Sequence, residues 1–149
     1  MLGLAAQWLG VNQTQANSVA PILISEEQGR HKSTFCRMLM PPQLARYYSD
    51  NLKLTAQGNP ERLLAEMGLL NMDEFDKFGA QKMPLLKNLM QMSSLNICKA
   101  YQKNFRSLPR IASFIGTSNR TDLLCDPTGS RRFICIEAEH DIDCTGIEH

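Results

Sequence analysis

Seven consecutive residues, Gln28, Gly29, Arg30, His31, Lys32, Ser33 and Thr34, have the chemistry of an anion-binding loop. Such a loop holds phosphate through converging backbone N–H groups, with a lysine on the terminal phosphates and a Ser or Thr hydroxyl on Mg²⁺. Gly29 would supply the turn, Lys32 the cation and Ser33 the metal ligand. A lysine in a first helical turn is disfavoured by the helix dipole by about 0.3–1 kcal/mol unless an anion is close, so its placement favours phosphate. Two features oppose that reading. The residue before the lysine needs a backbone that glycine tolerates best, and His31 must adopt it at about 1–3 kcal/mol or reshape the loop. Glu26 and Glu27 add negative charge beside a site meant for phosphate.

Three further groups follow in chain order. Asp73 and Glu74 end the apolar run "GLLNMDEFD". In phosphate-loop enzymes the first such acid holds Mg²⁺ through water and the second polarises the attacking water. "IASFIGTSN" ends on Thr117, Ser118 and Asn119, where a polar side chain could contact the γ-phosphate and the lytic water. "DPTGSRRF" sets Arg131 and Arg132 on a turn before the last apolar run, where either could reach a phosphate, in its own or a neighbouring subunit, as an arginine finger. Each group alone also fits a solvated turn. Their order and spacing are what add weight.

The elements that must position these groups alternate. "APILIS" at 20–25 is a short branched apolar run suited to a strand buried on both faces, and "KSTFCRML" reads as a helix stopped by Pro41 and Pro42. "LARYYSD" reads as a second strand. "NPERLLAEM" starts a helix with Asn59 as N-cap and Pro60 at the first helical position. "GLLNMDEFD" is a third strand. From 80 to 99, Met83, Leu86, Leu89, Met90 and Leu95 recur near helical spacing, which predicts one helix and its exit loop. "IASFIGTSN" and "RRFICIE" complete five strands, an α/β sheet that is mostly parallel with active groups at the strand carboxyl ends.

Composition bounds the rest. With 149 residues, 43% hydrophobic, the chain can bury one core and is most simply one domain: a helical lead-in at 1–19, a core at 20–137 and a tail at 138–149. Its abrupt ends suggest a piece of something longer. A net charge of +1 gives no overall field toward nucleic acid or membrane. The opening "MLGLAAQWLG" lacks the basic region and cleavage site of a signal peptide, and no run approaches the roughly 18–20 apolar residues of a membrane span. Five cysteines without a CxxC pair read as reduced thiols of a cytoplasmic protein, with no metal apart from one carried by a nucleotide. Lys99, Lys103, Arg106 and Arg110, interleaved with Tyr101 and Phe105, form the one basic and aromatic cluster. It suits DNA phosphates, or equally a solvated loop before "IASFIG".

Taken together, "EEQGRHKSTF", "NMDEFD" and "FIGTSNRTDLLCDPTGSRRF" resemble, in order and approximate spacing, the virulence-associated protein E family. Its ATPase domain is similar to superfamily 3 and poxvirus-type primase-helicases. The pairing of "GTSN" with "DPTGSRRF" is the most distinctive part, and the likeness spans about 20–137. The resemblance implies a P-loop NTPase of the additional-strand, AAA+/superfamily 3-like type, a three-layer sandwich with the phosphate-loop strand flanked by the sensor strand. It implies ATP and Mg²⁺ as cofactors, DNA as a partner of the full-length protein, and a homo-oligomeric ring. By position, Lys32 would bind the β- and γ-phosphates, Ser33 would ligate Mg²⁺, Asp73 and Glu74 would be the Walker B acids, and Asn119 sensor 1. Arg131 or Arg132 would be the finger. Two readings follow: an ATP-hydrolysing helicase-type motor, or a degenerate relative that acts as a DNA- or protein-binding assembly module. His31, Glu26 and Glu27 favour the second; Lys32, Ser33, Asp73, Glu74, Asn119 and the arginine pair favour the first.

Overall fold

Branched and apolar residues in "APILI" form the strand β1 (Ala20–Ile24), whose side chains are buried on both faces of a sheet. Ala20, Ile22 and Ile24 point into one core cluster and Leu23 into another, the period-2 alternation of a strand between two layers. The structure, a computed structural model, describes residues 2–10, 17–55, 58–98, 105–120, 132–145 and 147. The remaining strands are β2 (Tyr48–Ser49), β3 (Leu69–Met72), β4 (Ser94–Cys98), β5 (Phe105–Pro109), β6 (Ser113–Ser118) and β7 (Phe133–Glu137). Five of them make an all-parallel sheet in the order β2-β3-β6-β1-β7. The phosphate-loop strand is therefore flanked by β6, as the resemblance implied, and by β7.

The helices are α1 (Leu2–Leu9), α2 (Lys32–Met38), α3 (Pro60–Glu66) and α4 (Met83–Gln91). Leu64 of α3 and Leu86, Leu89 and Met90 of α4 fill the larger core on one sheet face. Phe35 and Cys36 of α2, with Leu4 and Trp8 of α1, cover the other, which completes three layers. Trp8 is pinned by an Nε1–H donated to the Gly68 carbonyl at 3.0 Å. Within the sheet, Gly116 leaves little room for a side chain: a Cβ there would lie 2.6 Å from Ile22 Cδ1, which would have to shift, and 3.2 Å from the Met72 carbonyl oxygen. This glycine lets β1, β3 and β6 pack where the sheet carries its functional loops.

Several expected elements differ. "LARYYSD" is mostly a 3-10 helix (Pro42–Tyr47), and only Tyr48 and Ser49 pair, with Leu69 and Leu70. Pro41 and Pro42 end α2, but Pro42 then nucleates this tighter turn instead of an extended strand. Asn59 does precede α3 and Pro60 does open it, yet Asn59 sits in the left-handed region (φ 43°) and makes no side-chain cap. The predicted helix from 80 to 99 is split into a 3-10 turn (Ala80–Lys82), α4 and then β4. Leu95 is buried from a strand, because β4 turns back antiparallel on β5 with Leu95 opposite Leu108. That two-stranded hairpin stands outside the main sheet and was not expected.

Cys36, Cys135 and Cys144 are free thiols. Burial pushes the Cys36 thiol up to about 12, with Asp73 adding to the shift, so it stays protonated and packs as a small apolar group. Among the described residues no helix is long and apolar enough to cross a membrane.

Candidate functional site

Loops after the carboxyl ends of β1, β3 and β6 meet in one cleft of about 450 Å³, lined by residues 28–34 with Asp73, Glu74, Thr117 and Asn119. Every residue expected in the phosphate loop from Gln28 to Thr34 lines this cleft, as do both expected acids and Asn119. Parallel sheets bring such loops together because all their strands end on the same side.

Backbone geometry explains how this loop forms without its usual glycines. Gly29 takes φ 86°, and His31, at the N-cap of α2, takes φ 58° and ψ 19°. His31 thus adopts the left-handed conformation that glycine would supply; histidine is among the residues enriched there. The helix begins directly behind it, with the Phe35 N–H donated to the His31 carbonyl at 2.8 Å. Glu26 and Glu27 are exposed and do not line the cleft. The Glu27 carboxylate accepts from Arg30 at 2.8 Å, so its charge is met within the loop. Arg30 also donates to the Glu139 carbonyl, and the Ile142 N–H reaches the Arg30 carbonyl at 3.4 Å, which straps the tail onto the loop.

Lys32 is buried, with its ammonium inside the cleft. Its Nζ donates to Ser25 Oγ at 2.6 Å, to the Ser25 and Glu27 carbonyls at 3.4 and 3.3 Å, and to Asn119 Oδ1 at 3.0 Å. Burial, and next the nearby Arg30, draws its pKa below the ordinary lysine range, while Asp73 and Asp76 oppose the shift. The lysine is thus a desolvated cation held in place by neutral oxygens. A phosphate is the stronger acceptor for such a group.

Facing it, Asp73 Oδ1 accepts from Ser33 Oγ at 2.7 Å and from Thr117 Oγ1. Glu74 follows in the left-handed region, φ 52° and ψ 51°, a conformation that costs a non-glycine residue about 1–3 kcal/mol unless its surroundings hold it. Its N–H donates to Thr117 Oγ1 at 3.3 Å, its carbonyl accepts the Lys77 N–H at 2.8 Å, and its carboxylate pairs with Lys77 at 2.6 Å. Ser118 Oγ donates to Asp76 at 3.0 Å, a second tie between the end of β6 and the acid turn. Ser25, Asp76 and the bridging role of Thr117 were not anticipated. The available signal for Thr117 was its place at the polar end of "FIGTSN", two residues before Asn119, where β6 runs out at Ser118.

Other expected positions separate from the cleft. Arg132 precedes β7, whose Phe133 pairs with Ala20 while Glu137 pairs with Ile24. It therefore lies at the amino end of the sheet, five residues or roughly 16 Å from the loop end at about 3.3 Å per residue. It does not line its own chain's cleft. Arg131 is outside the described residues, as are Lys99 and Lys103.

Arg106 is exposed on β5, but Arg110 is not a surface cation, which corrects the expectation that it contacts DNA. It is 1% exposed; its guanidinium donates to the Met92 carbonyl at 2.7 Å, the Asn17 carbonyl at 2.9 Å and the Ala112 carbonyl, and lies 5.6 Å over the Phe114 ring. Burial lowers its pKa to about 10, which leaves it charged at neutral pH but without reach to a phosphate.

Known proteins set this geometry in context. The description "Virulence-associated protein E-like domain" matches residues 10–149. No curated protein matches. Among solved structures, the apo C-terminal region of NrS-1 superposes with a TM-score of 0.63 at 22% identity, covering 94% of this chain and 35% of that one. Two A-form apo structures of the same region give 0.59 at 24% identity, with 94% and 33% covered, and 0.54 at 22%, with 91% and 33% covered. At these identities the likeness concerns the fold, and the chain spans about a third of the length of the solved chains it matches.

Proposed function

The chain belongs to the virulence-associated protein E-like family, and from that premise we propose that it is an ATP-binding and ATP-hydrolysing, helicase-type domain of a DNA-replication protein from a phage or mobile element. The observation that carries the reading is the convergence, in one cleft, of a buried Lys32, the Ser33–Asp73 pair, Glu74 and Asn119 at the ends of three parallel strands. The NrS-1 likeness supports the same fold on a larger protein.

In this reading Lys32 exchanges the Ser25, Glu27 and Asn119 oxygens for the β- and γ-phosphates. Asn119, released from Lys32, turns to the γ-phosphate and the lytic water. The donor set fits Mg²⁺ in its chemistry: Ser33 Oγ and the Asp73 carboxylate are hard oxygen donors brought together at 2.7 Å, and they would hold the ion, Asp73 through water. Among the described residues no three His, Cys, Asp or Glu converge, so phosphate and water oxygens would complete the shell. When bound with nucleotide, Mg²⁺ would neutralise charge on the β- and γ-phosphates. Glu74 orients a water for in-line attack and accepts its proton; the water oxygen bonds to the γ-phosphorus as the bond to the bridging oxygen breaks, which leaves ADP and phosphate. Glu74 must first leave Lys77.

Arg132 lies too far from its own cleft to assist there, which suits an arginine finger offered to a neighbouring copy in a ring. The β4–β5 hairpin, with exposed Arg106 and with Lys99 and Lys103 in the connecting sequence, is the element that would meet DNA.

A second reading, a binding or assembly module without turnover, is favoured by the Glu74–Lys77 pair, which holds the attacking-water residue away from its task. Steady-state hydrolysis separates the two. The first predicts that Glu74→Gln keeps nucleotide binding and lowers turnover by about 100-fold or more, within the usual 10²–10⁴ range for a positioned acid–base group. Turnover unchanged in Glu74→Gln contradicts the assignment; binding without turnover by the wild-type chain supports the second reading.

A further inference from the structure

Resting on the nucleotide reading, we propose that Thr117 is a positioning residue that sets the geometry of both acids, and through Asp73 the affinity of the site for its divalent cation. Thr117 sits at the carboxyl end of β6, 3% exposed, one step beyond the Gly116–Met72 pairing that fixes β6 against β3. A threonine hydroxyl offers one donor and two acceptor lone pairs. Here the donor goes to Asp73 Oδ1 and an acceptor takes the Glu74 N–H at 3.3 Å, so one oxygen is shared between the acids. Its branched Cβ restricts χ1, so the strand backbone aims the hydroxyl.

Asp73 Oδ1 thereby receives two hydroxyls, from Thr117 behind and Ser33 in front. The carboxylate is held by both, and Ser33 is its tie to the phosphate loop. Without Thr117 Oγ1, Asp73 would keep only Ser33 of these two donors, and Glu74 would lose the bond to its N–H that helps hold φ at 52°. Partners of this kind, which orient a metal ligand without touching the metal, typically change metal affinity or activity 10–100-fold when removed. Valine keeps the shape and branching of threonine and removes the hydroxyl, while serine keeps the hydroxyl.

The test is Mn²⁺ uptake measured by paramagnetic resonance at fixed, saturating AMP-PNP, with wild-type protein, Thr117→Val and Thr117→Ser. The expected result is a Mn²⁺ dissociation constant raised about 10–100-fold in Thr117→Val and restored to within a few-fold in Thr117→Ser, with metal-free AMP-PNP binding the same in all three. If Thr117→Val does not fold, Thr117→Ala carries the same expectation. Wild-type Mn²⁺ affinity in the valine or alanine variant overturns the assignment. So does an equal loss in Thr117→Ser, which would mark a packing role. A wild-type chain that takes up no Mn²⁺–AMP-PNP overturns the nucleotide reading itself, and Thr117 with it, so the two failures are distinct.

Discussion

At the scale of single residues, two side chains depart from what their type suggests. His31 stands where a phosphate loop favours glycine, and it takes φ 58° behind an exposed Gly29 turn, so the loop keeps its path. The energetic objection becomes a local cost that the surrounding bonds hold. Arg110 is the reverse case, a charged residue read as a surface contact that is instead a cross-brace between Asn17, Met92 and Ala112. Removing it would leave three carbonyls without their donor. Arg110→Met is expected to lower the melting temperature by roughly 6–12 °C, taking about 3 kcal/mol for the orphaned carbonyls and 2–4 °C per kcal/mol at this size. Thermal denaturation followed by circular dichroism checks this, and a shift under about 2 °C would mean that the brace is not structural.

Among the elements, the hairpin of β4 and β5 is the feature on which a nucleic-acid role depends. Arg106 is exposed on β5, and Lys99 and Lys103 lie between the two strands in the chain. Replacing these three with Ala is expected to weaken binding to duplex DNA and to flatten the log–log salt dependence by about 0.9 for each phosphate that is no longer neutralised. Fluorescence anisotropy across a salt series reads both; an unchanged slope would exclude the hairpin. The same region shows where sequence reasoning stops. β1, β3, β6 and β7 were readable because each is a branched or apolar run, with a candidate residue past its carboxyl end or on the turn before it. The hairpin was not, because Leu95 continues the helical spacing of α4 and only its pairing with Leu108 reveals a strand. β2 is two residues long, too short to leave a pattern, and the residues before it form a 3-10 turn. The cleft was read better than the elements: loop, acids and Asn119 are all together in it. What the sequence could not convey was distance, which put Arg132 at the far end of the sheet and Arg110 inside the core.

For the whole molecule, the five-stranded parallel sheet brings three loops to one end and leaves Arg132 at the other, outside the reach of the chain's own cleft. The chain spans about a third of the NrS-1 structures it matches, so a test of the proposed function on this chain alone must rest on what its own residues can do. The proposed nucleotide binding meets that condition, since the cleft is lined by residues of this chain. Calorimetric titration of Mg²⁺–ATP into the wild-type chain and into Lys32→Ala therefore tests the central claim most directly. The account predicts saturable binding by the wild-type chain, and its loss in a Lys32→Ala chain that circular dichroism shows to be folded at the titration temperature. Equal binding by both proteins, or none by the wild-type chain at high micromolar nucleotide, would contradict it.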